Sequence, residues 1–253
     1  MESVAEKTLT EGKLGLTRKE VIKIYVLREL KSIPRSTADL YKSFNETYPL
    51  PKREKSRSYV YKTVQEMEIE GLIAFNPDGR KKIFSLTNKG EETYNTYFSV
   101  YGKSCERILI VLKKMRDDAR NQWKDIPVVL EDDDRKYISK LIDVASFIQY
   151  VVLKHLHHHN RRIHGYEVYQ YMKERYSWTT SDSYFYEVIK GMVELAWIEG
   201  EWDDDYRRSK RMYVLTDLGR EPNFSNVEDK ALYHIDQAYK FVKDLLSLFD
   251  KKG

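Results

Sequence analysis

The sequence repeats itself. Tyr59-Val-Tyr-Lys-Thr-Val-Gln-Glu-Met-Glu-Ile-Glu-Gly-Leu-Ile73 lies beside Tyr184-Phe-Tyr-Glu-Val-Ile-Lys-Gly-Met-Val-Glu-Leu-Ala-Trp-Ile198, at an offset of 125 positions. Ser56-Arg-Ser58 matches Ser181-Asp-Ser183 in the same register. Leu86-Thr-Asn-Lys-Gly90 matches Leu215-Thr-Asp-Leu-Gly219 at an offset of 129, and Val26-Leu-Arg-Glu-Leu30 matches Val152-Leu-Lys-His-Leu156 at 126. Four blocks in one order at a nearly constant offset imply two copies of one domain, the second about four residues longer in its hairpin. A chain of 253 residues has room for two such domains.

Each copy reads as three helices followed by a β-hairpin. Thr17-Arg-Lys-Glu20 is a capping box, opening a helix with Val21, Tyr25, Leu27 and Leu30 turned inward and Pro34 as its stop. Ser36 or Thr37 starts a second helix carrying Leu40, Tyr41 and Phe44, which Pro49 and Pro51 end. Ser56 or Ser58 caps a third, whose Val60, Val64 and Met67 form an apolar stripe and whose end falls at Gly71. Leu72–Phe75 and Lys82–Leu86 then flank the turn Asn76-Pro-Asp-Gly79. The second copy follows the plan with Val188, Ile189 and Met192 on its third helix and strands near 197–202 and 212–215. The expected fold is mainly α with small β-hairpins: tandem winged helix-turn-helix domains, each followed by a heptad-patterned helix. The third helix of such a domain can enter a DNA major groove while the hairpin lies along the backbone.

The residues also resemble the PadR family of transcriptional regulators, most strongly in the second copy. His164-Gly-Tyr-Glu167, Tyr186-Glu-Val-Ile189-Lys-Gly-Met192 and Arg211-Met-Tyr-Val-Leu-Thr-Asp-Leu-Gly219 are similar to that family's second helix, recognition helix and wing exit. The first copy keeps the recognition-helix and wing patterns but has Ala38-Asp-Leu-Tyr41 in place of the His-Gly-Tyr-Glu element. The resemblance spans about residues 20–92 and 148–221 and implies a dimeric DNA-binding regulator. Duplication within one chain departs from the family's usual single-domain plan.

Charge points the same way, although the net is only +4. Residues 1–130 carry 25 Lys and Arg against 18 Asp and Glu, whereas residues 131–253 carry 19 against 22. The first half suits a polyanion. Its basic residues gather where a winged helix touches DNA. Residues 51–62 hold five Lys or Arg and one acid, at a helix start whose amides already favour phosphate. Lys52, Arg53 and Lys55 would pin phosphates. Arg57, with Ser58 and Tyr59, would reach base edges, since Arg suits bidentate readout of guanine, and Ser56 and Lys62 belong to the same expected DNA-binding set. Arg80, Lys81 and Lys82 at the hairpin would grip backbone or minor groove. In the second copy Asp182 replaces the Arg57 equivalent, and residues 177–195 hold Lys190 against three acids. Weak or no base reading is expected there, with Arg207, Arg208, Lys210 and Arg211 as a secondary backbone contact beside Asp203-Asp-Asp205.

After each hairpin comes a helix with apolar residues at heptad spacing. Tyr94, Phe98, Tyr101, Cys105, Ile108, Leu112 and Met115 form one seam; Leu232, Ile235, Tyr239, Val242, Leu246 and Phe249 form the other. Either seam can close inside the chain or build a homodimer, and the dimer is the favoured reading. The division expected is 1–92 for the N-terminal winged helix, 93–132 for a connecting helix and the acidic linker Glu131-Asp-Asp-Asp134, 133–222 for the PadR-like domain, and 223–253 for a dimerisation helix.

Other chemistries find little support. Cys105 is the single cysteine, which excludes an intrachain disulfide framework and a thiolate zinc cluster. His155, His157, His158, His159 and His164 resemble a metal cluster, but no Glu lies between His155 and His159 in His-Glu-x-x-His fashion. A polar helix end is the simpler account. No glycine-rich phosphate loop and no Gly-x-Ser-x-Gly occurs. An enzyme, a metal and a cofactor are therefore not expected. Trp178, Trp197 and Trp202 could line an effector pocket, although core packing explains them as well. Without an apolar run of about 18 residues or a secretory leader, no membrane partner is expected and a cytoplasmic site is the default. The partners expected are double-stranded DNA and a second copy of the chain. A replication or partition protein of plasmid or virus type, acting on repeated sites, is the alternative role; a winged-helix protein–protein scaffold is the third.

Overall fold

The computed structural model describes residues 9–47, 56–78, 81–122, 124–202, 211–220 and 223–249. The chain divides into two compact units, residues 1–106 with 241–253, and residues 107–240. The expected division at residues 92, 132 and 222 followed the motifs, whereas these units are bounded inside two long helices.

In the first unit α1 spans Arg18–Ser32. Its capping box forms as the sequence implies: the Glu20 amide donates to Thr17 Oγ1 and the Thr17 amide to Glu20 Oε2, at 3.2 and 2.7 Å. Val21, Ile22, Ile24, Tyr25, Val26, Leu27 and Leu30 are all buried, so α1 is the core element rather than a one-sided helix. Helix α2, Thr37–Thr47, buries Leu40 and Phe44, and Phe44 meets the Tyr25 ring edge-on at 4.9 Å. Helix α3, Arg57–Ile69, turns Val60, Thr63, Val64 and Met67 inward. It closes through Gly71, whose φ of 72° is left-handed, with the Leu72 amide donating to Met67 O.

Strands β2 (Ile73–Asp78) and β3 (Lys81–Leu86) form the hairpin. Asn76, Pro77 and Asp78, expected in the turn, extend β2 instead, Pro77 facing Lys82. Proline is tolerated there because β2 is an edge strand. A third strand, β1 (Arg35–Ser36), pairs antiparallel with β3, setting Arg35 opposite Phe84 and giving the order β1-β3-β2. Helix α4, Asn88–Tyr97, runs through a π turn at Phe98–Gly102 into α5, Lys103–Ala119. The added π residue shifts the buried line, so Gly102 is buried and Tyr101 half-exposed. The turn Ser247–Phe249 completes this unit. Arg28 Nη1 donates to Ser247 O at 2.8 Å, Tyr94 OH to Leu248 O at 3.1 Å, and the Phe249 ring lies 5.8 Å from that of Phe98.

The second unit repeats the element order. It contains α6 (Asp132–Leu141), α7 (Val144–His159), β4 (Ile163–His164), α8 (Gly165–Tyr176), α9 (Asp182–Glu194), β5 (Ile198–Trp202) and β6 (Arg211–Leu215). Helix α10, Asn223–Leu246, follows. The sheet order is β4-β6-β5, with Ile163 opposite Tyr213. Glu131-Asp-Asp-Asp134 leads into α6 as expected, but Asp134 is buried and paired with Arg107. Trp178 is fully buried against Phe147, whereas Trp202 is exposed on β5.

Candidate nucleic-acid interface

The exposed side of α3 is the complement of its buried stripe. Ser56, Arg57, Ser58 and Lys62 are exposed, as is Tyr59, while Val60, Val64 and Met67 face the core. Ser56 occupies the N-cap position, but its hydroxyl pairs with that of Ser58 at 2.8 Å and caps no amide. The first-turn amides of α3 therefore receive no side-chain cap from Ser56, and an anion would find them there.

Two guanidinium groups rest on tyrosines of this helix. Arg57 lies 5.0 Å over the Tyr61 ring and donates to its hydroxyl at 3.1 Å. Arg18, from the start of α1, lies 5.0 Å over the Tyr59 ring. Farther along, Lys19 pairs with Glu66 and Lys23 with Glu70, tying α1 to the flank of α3. Lys19 is held above the usual lysine value by its hydrogen bond to Glu66, against a smaller effect of desolvation. Nothing local in the sequence links residue 18 to residue 59; only the packing of α1 on α3 does.

Of the hairpin cations, Lys82 is exposed, pairs with Glu68 at 2.6 Å and lies over the rings of Phe75 and Phe84. The backbone of Lys81 lies in β3. Lys52, Arg53, Lys55, Arg80, Arg207, Arg208 and Lys210 fall outside the described residues. Arg211 begins β6 with its guanidinium 6.0 Å from the Trp202 ring. On α9 the equivalent of Arg57 is exposed Asp182, next to the N-cap Ser181, with Tyr184 and Tyr186 exposed beyond it.

The helices after the hairpins bury much of the apolar set assigned to assembly. Tyr94, Ile108, Leu112, Met115, Ile235, Val242 and Phe249 are buried within the chain, whereas Phe98, Tyr101, Leu232, Tyr239 and Leu246 are half-exposed. On α10 the buried line runs through Val227, Ala231, Ile235, Ala238, Val242 and Leu245. That line follows the 3.6-residue period of a straight helix, with two alanines allowing close approach, and not the 3.5 of a coiled coil. No helix among the described residues is long and apolar enough to cross a membrane. Among them no group of three or more His, Cys, Asp or Glu is placed to hold a metal ion.

Residues 152–223 match the model of the transcriptional regulator PadR-like family. Among solved structures, the chain is similar to Bacillus subtilis PadR in complex with operator DNA, at 17% identity, over 91% of this chain and 99% of that one, with a TM-score of 0.26. No curated protein matches the chain.

Proposed function

We propose that this chain, whose residues 152–223 carry a PadR-like domain, is a DNA-binding transcriptional regulator that reads its site through the N-terminal winged helix. The observation that carries the reading is the tip of α3, where Arg57, Ser58, Tyr59 and Lys62 stand exposed on one end of a helix whose other face is core. Arg57 reaches base edges, and Lys62 and the hairpin lysines meet phosphate. Lys52, Arg53 and Lys55 precede Arg57 in sequence and extend the same charge. Asp182 at the matching place on α9 would repel phosphate, so the second copy contributes its wing at most, or partner contacts.

The working form is a homodimer, in line with the PadR resemblance. The half-exposed Leu232, Tyr239 and Leu246 of α10 are the seam side chains left for a second copy to cover. Two such chains would present paired α3 helices to half-sites about 34 Å apart or a multiple.

Duplex binding measured by fluorescence anisotropy against salt tests the first claim. Neutralising several phosphates gives a log affinity that falls steeply and linearly with log salt. Enrichment of one motif from a random duplex pool supports a regulator. Absence of salt-dependent binding to any duplex overturns the reading in favour of a protein-binding scaffold. Sedimentation equilibrium decides the dimer.

A further inference from the structure

A cavity of about 540 Å³ opens in the second unit between the end of α5, α7 and α8. Its size is that of a small-molecule site. Lys154, Arg175, Asn121 and the imidazoles of His155, His158 and His159 line it, with Asp118 as its one acid.

Asp118 is already saturated. Its Oδ1 accepts from Arg175 Nε and Nη2 at 2.9 and 2.5 Å, and its Oδ2 from Lys154 Nζ and Tyr176 OH, both at 2.9 Å. A carboxylate has about four lone-pair positions, and four donors fill them. Nothing acidic is left in the lining to hold a cation. Two permanent cations against one anion leave a net positive wall, to which the imidazoles and the Asn121 amide add donors.

His155 is 8% exposed, and its Nε2 is buried without a hydrogen bond. Glu167 Oε1 lies 3.7 Å from that nitrogen, an ion pair when the imidazole is protonated. The His155 ring is tilted against those of His159, at 4.4 Å, and Tyr171, at 4.8 Å. Burial, and then the neighbouring His159, hold this imidazole below the usual histidine range, while Glu167 pulls weakly the other way. The exposed imidazoles of His158 and His159 line the same cavity as Lys154 and Arg175 and can donate to an acceptor held there.

We propose that this cavity is a binding site for a small oxyanion, a phosphate or carboxylate group, held by Lys154, Arg175 and the histidines at the end of α7. The site is separate from the α3 surface and does not depend on it.

Isothermal titration of the full chain with inorganic phosphate, and separately with acetate, at ionic strength matched with sodium chloride, tests the site. One saturable site per chain is expected, and the tighter of the two anions identifies the headgroup. Lys154 and Arg175 also hold Asp118, so their removal can unfold the unit. The His158→Gln, His159→Gln double variant leaves that ion cluster intact and should bind about tenfold more weakly with an unchanged thermal melt, as expected for loss of a charge-assisted contact. No saturable heat with either anion up to millimolar concentration overturns the proposal. So does undiminished binding in the double variant.

Discussion

Gly90 is pressed against the carbonyl of Leu72. A β-carbon at residue 90 would stand 2.1 Å from that oxygen. The second copy has the same arrangement: a β-carbon at residue 219 would stand 1.9 Å from Trp197 O. Thr87 and Thr216 stand alongside, each donating its hydroxyl to the same carbonyl, Leu72 O and Trp197 O. The matched Thr and Gly of the two copies therefore mark where the chain leaving the hairpin is laid back onto the hairpin's start. Gly90→Ala must displace backbone and is expected to destabilise the first unit by about 2–4 kcal/mol, read as a fall in its urea midpoint. Tolerance of alanine would mean that the helix is not docked this closely.

Gly71 and Ala196 occupy the same left-handed position at the end of the third helix, with φ of 72° and 55°. Glycine adopts that conformation without strain and alanine does not. Ala196→Gly should therefore stabilise the second unit by about 1 kcal/mol, and Gly71→Ala should destabilise the first by a similar amount. Thermal melts of the two variants moving in opposite directions would bear this out.

Asp118 gives the second unit a pH dependence. Burial alone would raise its carboxyl, but hydrogen bonds from Lys154 and Arg175, with the Lys154 charge and the Tyr176 hydroxyl, hold it below the ordinary 3.8. A carboxyl lowered on folding stabilises fully above 3.8, and the contribution is lost as pH falls through the lower folded value. Urea unfolding of the wild type should thus weaken steeply below pH 4, and Asp118→Asn should flatten that limb. Asp118→Ala should cost about 3–5 kcal/mol at neutral pH, because it strands two partly buried cations.

At the proposed duplex-binding surface, Arg57→Ala should relax base preference at one position by about 1–3 kcal/mol. Lys62→Ala should weaken all duplexes alike and reduce the salt slope by about 0.9. Replacing Lys52, Arg53, Lys55 and Arg57 together should cost far more affinity than replacing Arg207, Arg208, Lys210 and Arg211. Equal losses, measured by anisotropy, would mean that both copies grip DNA.

Much of the architecture was legible because its signals are local. The Thr17–Glu20 box, the Val60–Val64–Met67 stripe and Gly71 each announce themselves within a few residues, and the helix ends fall where they indicate. Two-residue β1 and β4 gave no sign, because what makes Arg35 a strand residue is Phe84, far along the chain. The seam through Tyr101 misjudged the phase, since the π turn at Phe98–Gly102 exchanges that side for Gly102. Gly102 suits the place: a β-carbon there would lie 2.4 Å from the Phe98 ring. On α10 the apolar count skipped Ala231 and Ala238, whose small size lets the helix seat closely. Of the candidate site, the charge at Arg57 was legible; the Arg18–Tyr59 stack was not, because it depends on how α1 lies along α3.

The seat of Ser247–Phe249 on Arg28, Tyr94 and Phe98 has a consequence for biosynthesis. A ribosome delivers this turn 219 residues after Arg28, so the amino-terminal module lacks its final wall until the turn has been made. A chain cut before Ser247 would leave that module open on the side that Arg28, Tyr94 and Phe98 line.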